Sequence, residues 1–280
     1  MSRALVQAAE LLAEVSAAGS PGGRAEPPLL VDVRWSLAGS DRVGYEAGHL
    51  PGAVFCDLDA ELAGPPGEGG RHPLPTADQL TTMMRRLGIA PGREVVAYDG
   101  GAGAGAARAW WCLRWAGHEA VRVLDGGLVA WTAVGGPVES GDVAPQAAPE
   151  ALARVGALPI VNAEDVRAGR AGLLLDARAA ERFRGEVEPV DPVAGHIPGA
   201  VSCPTSAVQE PDGRYLSSTA LHAVMDPLVV GQEVTAYCGS GVTASQLVLA
   251  AHEIGVDVAL YPGSWSHWIR DPQRPVATGA

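Results

Sequence analysis

The stretch AYCGSGVTAS places a single cysteine, Cys238, between the end of an apolar run and a short loop with two glycines, Gly239 and Gly241. A helical pattern begins directly after this loop. Backbone N–H groups of the loop and the positive end of the helix dipole are therefore expected to face the thiol. These surroundings favour the thiolate, which is the nucleophilic form of cysteine, and the same amides could stabilise a second sulfur held as a persulfide anion. The hydroxyls of Ser240 and Thr243 could donate further hydrogen bonds.

Two alternatives concern this cysteine. A lone cysteine at the end of a strand is more often a small buried residue than a nucleophile, and on the residues alone this alternative stays open. A phosphatase loop of the C-x5-R type is disfavoured, because the sixth residue after Cys238 is Ala244 and the loop offers no guanidinium for a phosphate.

An internal duplication indicates which elements position the loop. LLVDVR (29–34) returns as LLLDAR (173–178), and AGHLPGAV (47–54) returns as AGHIPGAV (194–201). VVAYDG (95–100) corresponds to VTAYCG (234–239), so Asp99 stands in the first copy where Cys238 stands in the second. We expect two versions of one domain, of which only the second keeps the thiol.

The first copy's equivalent of the cysteine loop, GGAGAGA (100–106), can also be written as a dinucleotide-binding G-x-G-x-x-A motif. We consider this interpretation weak, because the stretch corresponds to the cysteine loop of the other copy. It does not follow the opening strand of a nucleotide-binding domain.

The secondary-structure pattern predicts an α/β fold with two tandem domains, each a parallel sheet flanked by helices. The predicted strands are Leu29–Val33, Val95–Tyr98, Val121–Leu124, Leu173–Asp176, Val234–Tyr237 and Val258–Tyr261. The predicted helices are Gln79–Leu87, Ala107–Ala116 and Ser245–Ile254. Residues 1–143 are assigned to the first domain, the Pro, Ala and Gly-rich residues 144–157 to a linker, and residues 158–280 to the second domain.

In these motifs, and in GSWSHW (263–268), the sequence resembles the two-domain rhodanese-type sulfurtransferases, and its CGSGVT loop is similar to that of 3-mercaptopyruvate sulfurtransferases. The resemblance implies two rhodanese-like domains, with catalysis in the second. It implies that Cys238 is the nucleophile and that the loop cradles its persulfide through Gly239, Ser240, Gly241, Val242 and Thr243. It also implies a relay in which Ser240 works with His72 and Asp59.

The resemblance further implies that Arg182 binds the anionic end of the sulfur donor, 3-mercaptopyruvate or thiosulfate. A second arginine is expected shortly afterwards, but Val190 occupies that position. Loss of one charge-assisted contact costs about 1.5–3 kcal/mol, so the residues do not decide between the two donors. The implied acceptors are cyanide, thiols or thioredoxin. The alternative function is a non-catalytic persulfide carrier or sulfur-binding module.

Composition limits the partners. The formal net charge is −12 with no cluster of Lys or Arg, so neither nucleic acid nor an anionic membrane is expected as a partner. Residues 1–20 are typical of an amphipathic helix, and no apolar run is long enough to span a bilayer, so the cytoplasm is the expected location. The four cysteines lie far apart without a C-x-x-C motif, so no disulfide framework, metal site or cofactor is expected.

Overall fold

Short runs of apolar and β-branched residues form the strands of two parallel sheets in the computed structural model, which describes residues 3–18 and 26–280. The chain divides into two compact units. The first unit takes the chain up to Leu62 together with Pro75–Ala157 and Asp212–Arg214. The second unit takes Ala63–Leu74, Leu158–Pro211 and Tyr215–Ala280. The segment 63–74 therefore belongs to the second unit by its contacts, although it lies in the first copy of the sequence. The predicted limits at 143 and 158 stay a prediction.

The first unit is built around one parallel sheet. Its elements in chain order are β1 (Leu5–Val6), α1 (Ala8–Ala18), β2 (Leu29–Asp32), β3 (Trp35–Ser36), β4 (Gly39–Ser40), α2 (Arg42–Ala47), β5 (Val54–Phe55), α3 (Leu58–Glu61), α4 (Ala77–Leu87), β6 (Val95–Tyr98), α5 (Ala104–Trp115), β7 (Val121–Leu124) and α6 (Gly127–Ala133). Among the described residues, five strands pair in the order β1-β7-β6-β2-β5, all parallel. The short strands β3 and β4 form a separate antiparallel ribbon.

The second unit repeats this arrangement. Its elements are α7 (Ala163–Arg167), β8 (Leu173–Asp176), α8 (Ala180–Phe183), β9 (Val201–Ser202), a 3-10 turn (Thr205–Ala207), α9 (Ser218–Val229), β10 (Val234–Tyr237), α10 (Ala244–Glu253), β11 (Ala259–Leu260) and α11 (Ser264–Trp268). Within the described part of the chain, four parallel strands pair in the order β11-β10-β8-β9. A single parallel bridge between Ile160 and Leu260 stands where the first unit has β1. The predicted α/β class with two parallel sheets is confirmed.

The duplicated sequence motifs correspond to duplicated contacts. In the first unit Arg34 forms an ion pair with Asp32 at 2.6 Å and donates to the carbonyl oxygen of Gly48 at 2.5 Å. The same contacts recur in the second unit, with the residues Arg178, Asp176 and Gly195. In both units the arginine thus connects the end of one strand, β2 or β8, to the AGH motif. Both carboxylates are fully buried, whereas the arginine side chain is 11% exposed in the first unit and 1% exposed in the second. Breaking such a pair would leave a buried charge without a partner, which explains why these residues recur together.

The limits of the predicted elements differ little from those observed. Four strands (Val95–Tyr98, Val121–Leu124, Leu173–Asp176 and Val234–Tyr237) are confirmed without change. The predicted helices begin one to three residues earlier than expected, and α4 shows why: Thr76 caps it through a capping box with Gln79. The amphipathic N-terminal helix is confirmed over Ala8–Ala18, while residues 1, 2, 19 and 20 of that prediction lie outside the described residues. Within the described ranges, no helix has the length and apolar character needed to cross a membrane.

Candidate active site

Cys238 lies at the carboxyl end of β10, directly after Tyr237, and the cysteine loop (238–243) connects this strand to α10. The strand is paired on both sides by parallel strands. In open parallel sheets, ligands bind beyond the carboxyl ends of such strands. The Cys238 side chain is 2% exposed. The thiol is therefore held in a site from which most water is excluded.

A backbone amide of the loop points at the sulfur. The N–H of Gly241 donates to the Cys238 Sγ at 3.1 Å. Gly241 adopts a left-handed conformation with φ of +81°, and a Cβ at this position would collide with the carbonyl oxygen of Pro262. Only glycine fits both restrictions, so the loop sequence itself produces the curvature that turns the amide inward.

The segment 261–266 holds the other side of the loop. The Cys238 N–H donates to the Ser264 Oγ at 3.1 Å, and the Cys238 carbonyl oxygen accepts from the Trp265 N–H at 3.0 Å. The Ser266 N–H donates to the Gly239 carbonyl oxygen at 2.9 Å. Among the described residues, Ser264 is the one non-glycine residue with positive φ, at +53°. Its strained backbone positions the hydroxyl that fixes the Cys238 amide.

The predicted relay residues are found in different units. His72 lies in the second unit with Ser240, and its Nδ1 is 2.7 Å from the Ser240 Oγ. Ser240 is 4% exposed, and its hydroxyl is hydrogen-bonded to the His72 imidazole. Asp59 lies in the first unit, where its carboxylate accepts from the Trp35 indole at 3.0 Å and from the Ser40 amide at 3.1 Å. Its role in the relay stays a prediction.

Arg182, at the end of α8, belongs to a cluster of charged side chains. It donates to Glu188 at 2.6 Å and to Asp191 at 3.3 Å. Burial opposes the charge of Glu188, but hydrogen bonds from Arg182 and from two backbone amides lower the pKa of this carboxyl. Arg71 also forms an ion pair with Asp191. Arg71 was not singled out from the sequence. The available signal was that it is the one basic residue of the segment 63–74 and precedes His72 directly.

The other three cysteines are held as neutral thiols. Burial raises the pKa of Cys56 well above its usual range, and burial also raises that of Cys112. Desolvation raises the pKa of Cys203 to about 11. Because only the thiolate is a strong nucleophile, these three residues are poor candidates for the reaction.

The equivalent loop of the first unit already contains a carboxyl group. The carboxylate of Asp99 accepts from the backbone N–H groups of Gly101 at 2.8 Å, Gly103 at 3.0 Å, Gly105 at 3.2 Å and Ala106 at 3.4 Å. Burial is the largest influence and raises the pKa of Asp99 overall, although the hydrogen bonds from these amides lower it. A loop of this design thus surrounds acceptor oxygens with amides. In the first unit those oxygens belong to the protein itself.

We expect Asp99→Ala to lower the free energy of unfolding by at least about 2 kcal/mol, because each buried amide left without an acceptor costs about 1–3 kcal/mol. Urea denaturation followed by circular dichroism measures the change. The control is Asp99→Asn, which keeps one acceptor oxygen and should cost less. An alanine variant whose free energy of unfolding lies within about 0.5 kcal/mol of the native value would contradict the role of the Asp99 carboxyl as acceptor for these amides. Surface substitutions without a structural role change stability by no more than that.

Comparison with known proteins identifies the family of the chain. The rhodanese-like domain family matches the chain twice, over residues 12–134 and 161–271. A Mycobacterium tuberculosis (strain H37Rv) protein named "Putative thiosulfate sulfurtransferase SseB" is 46% identical, over 98% of this chain and 97% of its own length. A Pseudomonas aeruginosa protein named "Probable 3-mercaptopyruvate sulfurtransferase" is 46% identical, over 91% of this chain and 94% of its own length.

The solved structures give the same result. The 3-mercaptopyruvate sulfurtransferase from Leishmania major superposes with a TM-score of 0.80 at 28% identity, covering 96% of this chain and 76% of that chain. Two family matches that together span most of the chain, and relatives named as sulfurtransferases that align over nearly all of it, give one conclusion. The chain belongs to the rhodanese family, as a sulfurtransferase with two rhodanese-like domains.

Proposed function

We propose that Cys238 takes a sulfur atom from a small anionic donor, holds it as a persulfide, and passes it to a thiophilic acceptor. The observation that carries the proposal is the hydrogen bond from the Gly241 amide to the Cys238 sulfur at the end of β10. The same amide, with the other loop N–H groups, would stabilise the terminal sulfur of the persulfide anion. The first domain, with Asp99 at the equivalent position, is proposed to be catalytically inactive.

With thiosulfate as donor, the Cys238 thiolate attacks the outer sulfur and the sulfur–sulfur bond of thiosulfate breaks. The products are the cysteine persulfide anion and sulfite, which leaves with the bonding electron pair. The charge is conserved and no proton moves. This half-reaction therefore requires an anion-binding site but no acid or base.

With 3-mercaptopyruvate as donor, the thiolate attacks the donor sulfur and the carbon–sulfur bond breaks. The electron pair passes to the carbon, and the proton of the donor thiol ends on that carbon to give pyruvate. This half-reaction does move a proton. We propose that Ser240 and His72 carry it, because their side chains form a 2.7 Å hydrogen bond beside the cysteine loop.

In the second half-reaction an acceptor attacks the outer sulfur of the persulfide. Cyanide leaves as thiocyanate, and a thiolate, including that of a thioredoxin-like protein, leaves as its own persulfide. Each transfer returns Cys238 as the thiolate, so the enzyme turns over by a ping-pong mechanism. We further propose a cytoplasmic location, where all four cysteines would persist as the free thiols described here.

The proposed function is tested with purified protein, cyanide as acceptor, and either thiosulfate or 3-mercaptopyruvate as donor. Thiocyanate formation with at least one donor is the expected result. The relative kcat/KM values then settle which donor is preferred. Turnover with neither donor would overturn the proposal and favour the persulfide carrier.

We expect His72→Asn to lower kcat with 3-mercaptopyruvate by about 10²-fold, at the lower end of the range for general acid–base groups. Asparagine can still form a hydrogen bond with Ser240 but cannot take up a proton. The thiosulfate reaction is the internal control and should change by less than about threefold, because it transfers no proton. An equal loss with both donors would show that His72 shapes the loop instead of moving the proton.

A further inference from the structure

Two arginine side chains converge on Gly239, the residue directly after Cys238. A Cβ at Gly239 would lie 2.7 Å from the Arg71 Nη2 and 3.8 Å from the Arg182 Nη2. Both guanidinium groups thus lie against the backbone of the cysteine loop. A larger residue at position 239 would displace the end of the Arg71 side chain.

The backbone around Arg71 is fixed to the same structure that fixes the loop. The Arg71 N–H donates to the Ser266 Oγ at 3.1 Å, and the Ser266 N–H donates to the Gly239 carbonyl oxygen. Gly70, with φ of +104°, packs so closely on α11 that a Cβ there would lie 2.8 Å from the Gly263 carbonyl oxygen and the Ser266 Oγ. Arg71 is therefore preorganised relative to the loop, which is how binding groups gain precision.

The guanidinium of Arg71 has donor capacity that its ion pair does not use. One terminal nitrogen pairs with Asp191. The Nε is buried and donates to no acceptor among the described residues. The Nε is therefore available to donate to a further acceptor.

Arg71 also lines a cavity of about 670 Å³, whose lining does not include Arg182 or the cysteine loop. Arg71, Val190 and Asp191 line it together with Ile269 and Arg270. It is large enough for a small ligand. Because Val190 and Arg71 both line this cavity, a positively charged side chain at either position would lie at the cavity wall.

We propose that Arg71 is the second anion-binding arginine of this enzyme and that the carboxylate or sulfonate-like head of the sulfur donor binds between Arg71 and Arg182. The inference rests on the proposed function, because it concerns the donor of the same site. The charge that the sequence resemblance led us to expect at Val190 is supplied instead by the segment 63–74. Planar guanidinium forks suit both kinds of head group.

The test compares Arg71→Met with the native protein by steady-state kinetics with each donor and saturating cyanide. Methionine keeps the length of the side chain and removes the charge. We expect KM to rise about 10- to 100-fold for both donors while kcat changes less than about threefold, as for a contact made equally in the ground and transition states. In the double variant Arg71→Met/Val190→Arg, the relocated charge should recover at least about a third of the lost affinity, measured as log KM.

Arg270→Ala is the matched control, because Arg270 lines the same cavity but pairs with the exposed Glu68. Its KM values should stay within about threefold of native. An Arg71→Met enzyme with native KM, or a double variant no better than the single one, would overturn the proposal. Failure of the proposed function is seen separately, as a native enzyme that turns over neither donor.

Discussion

The Cys238→Ser variant should form thiocyanate at least about 10³-fold more slowly than the native enzyme with both donors, by analogy with the loss of other catalytic nucleophiles. Serine can still accept the hydrogen bond from the Gly241 amide, so the loop should keep its conformation. A hydroxyl is ionised far less readily than a thiol at neutral pH and cannot form a persulfide. Activity is measured as thiocyanate, and the unfolding midpoint in urea checks that the fold is retained.

Cys203→Ser is the control, since Cys203 is another buried cysteine of the same unit. Burial raises the pKa of its thiol to about 11, so it should be almost wholly protonated at neutral pH. Its loss should leave sulfur transfer within about twofold of native. If the serine variant at 238 stayed active, the nucleophile would have to be one of the other cysteines.

Gly241→Ala should lower kcat/KM with both donors by about 10²–10³-fold, the effect of losing one backbone donor to a reacting anion. The added methyl group would collide with the Pro262 carbonyl oxygen and come within 3.0 Å of two further backbone atoms of that residue. The loop must shift to relieve the collision, and the Gly241 amide then no longer points at the sulfur. Pre-steady-state measurement of persulfide formation separates this effect from acceptor attack.

Gly255→Ala is the matched control. Gly255 also has a left-handed backbone, with φ of +76°, but no atom lies within 4 Å of its Cβ position. It follows α10 in the same unit, so it carries the same backbone strain, about 1–3 kcal/mol, without touching the cysteine loop. Equal loss of activity in the two variants would mean that general destabilisation, and not the amide, explains the effect.

Six of the nine strands in the two parallel sheets of the described residues could be predicted, because each is a contiguous apolar run between turn residues. Val95–Tyr98 and Val234–Tyr237 show this most clearly, since both lie at the centre of a sheet and all four residues of each are buried. The edge strands β1, β5 and β9 were missed. Each has only two residues and exists because it pairs with one neighbouring strand. Nothing local distinguishes such a pair from the start of the following helix.

In the site too, residues contiguous in sequence could be predicted and residues brought together by tertiary packing could not. The cysteine loop is contiguous, so Cys238 and the glycines of its loop could be proposed from the amino-acid sequence alone. Arg71 and Ser264 could not, because each reaches the loop only through tertiary packing, 167 residues before and 26 residues after Cys238 in the numbering. The resemblance to a family supplied His72, and the contact with Ser240 supplies a physical reason for it. Arginine pairs of this kind are found by geometry, since no sequence spacing encodes them.

The most direct test of the account is the mass of Cys238 after treatment with donor in the absence of acceptor. Intact-protein and peptide mass spectrometry should find an addition of about 32 Da, one sulfur atom, on the peptide that contains Cys238. Cyanide should then remove it. A donor-treated protein that turns over but carries no added sulfur, or carries it on Cys56, Cys112 or Cys203, would contradict the claim that this amide-lined loop holds the sulfur in transit.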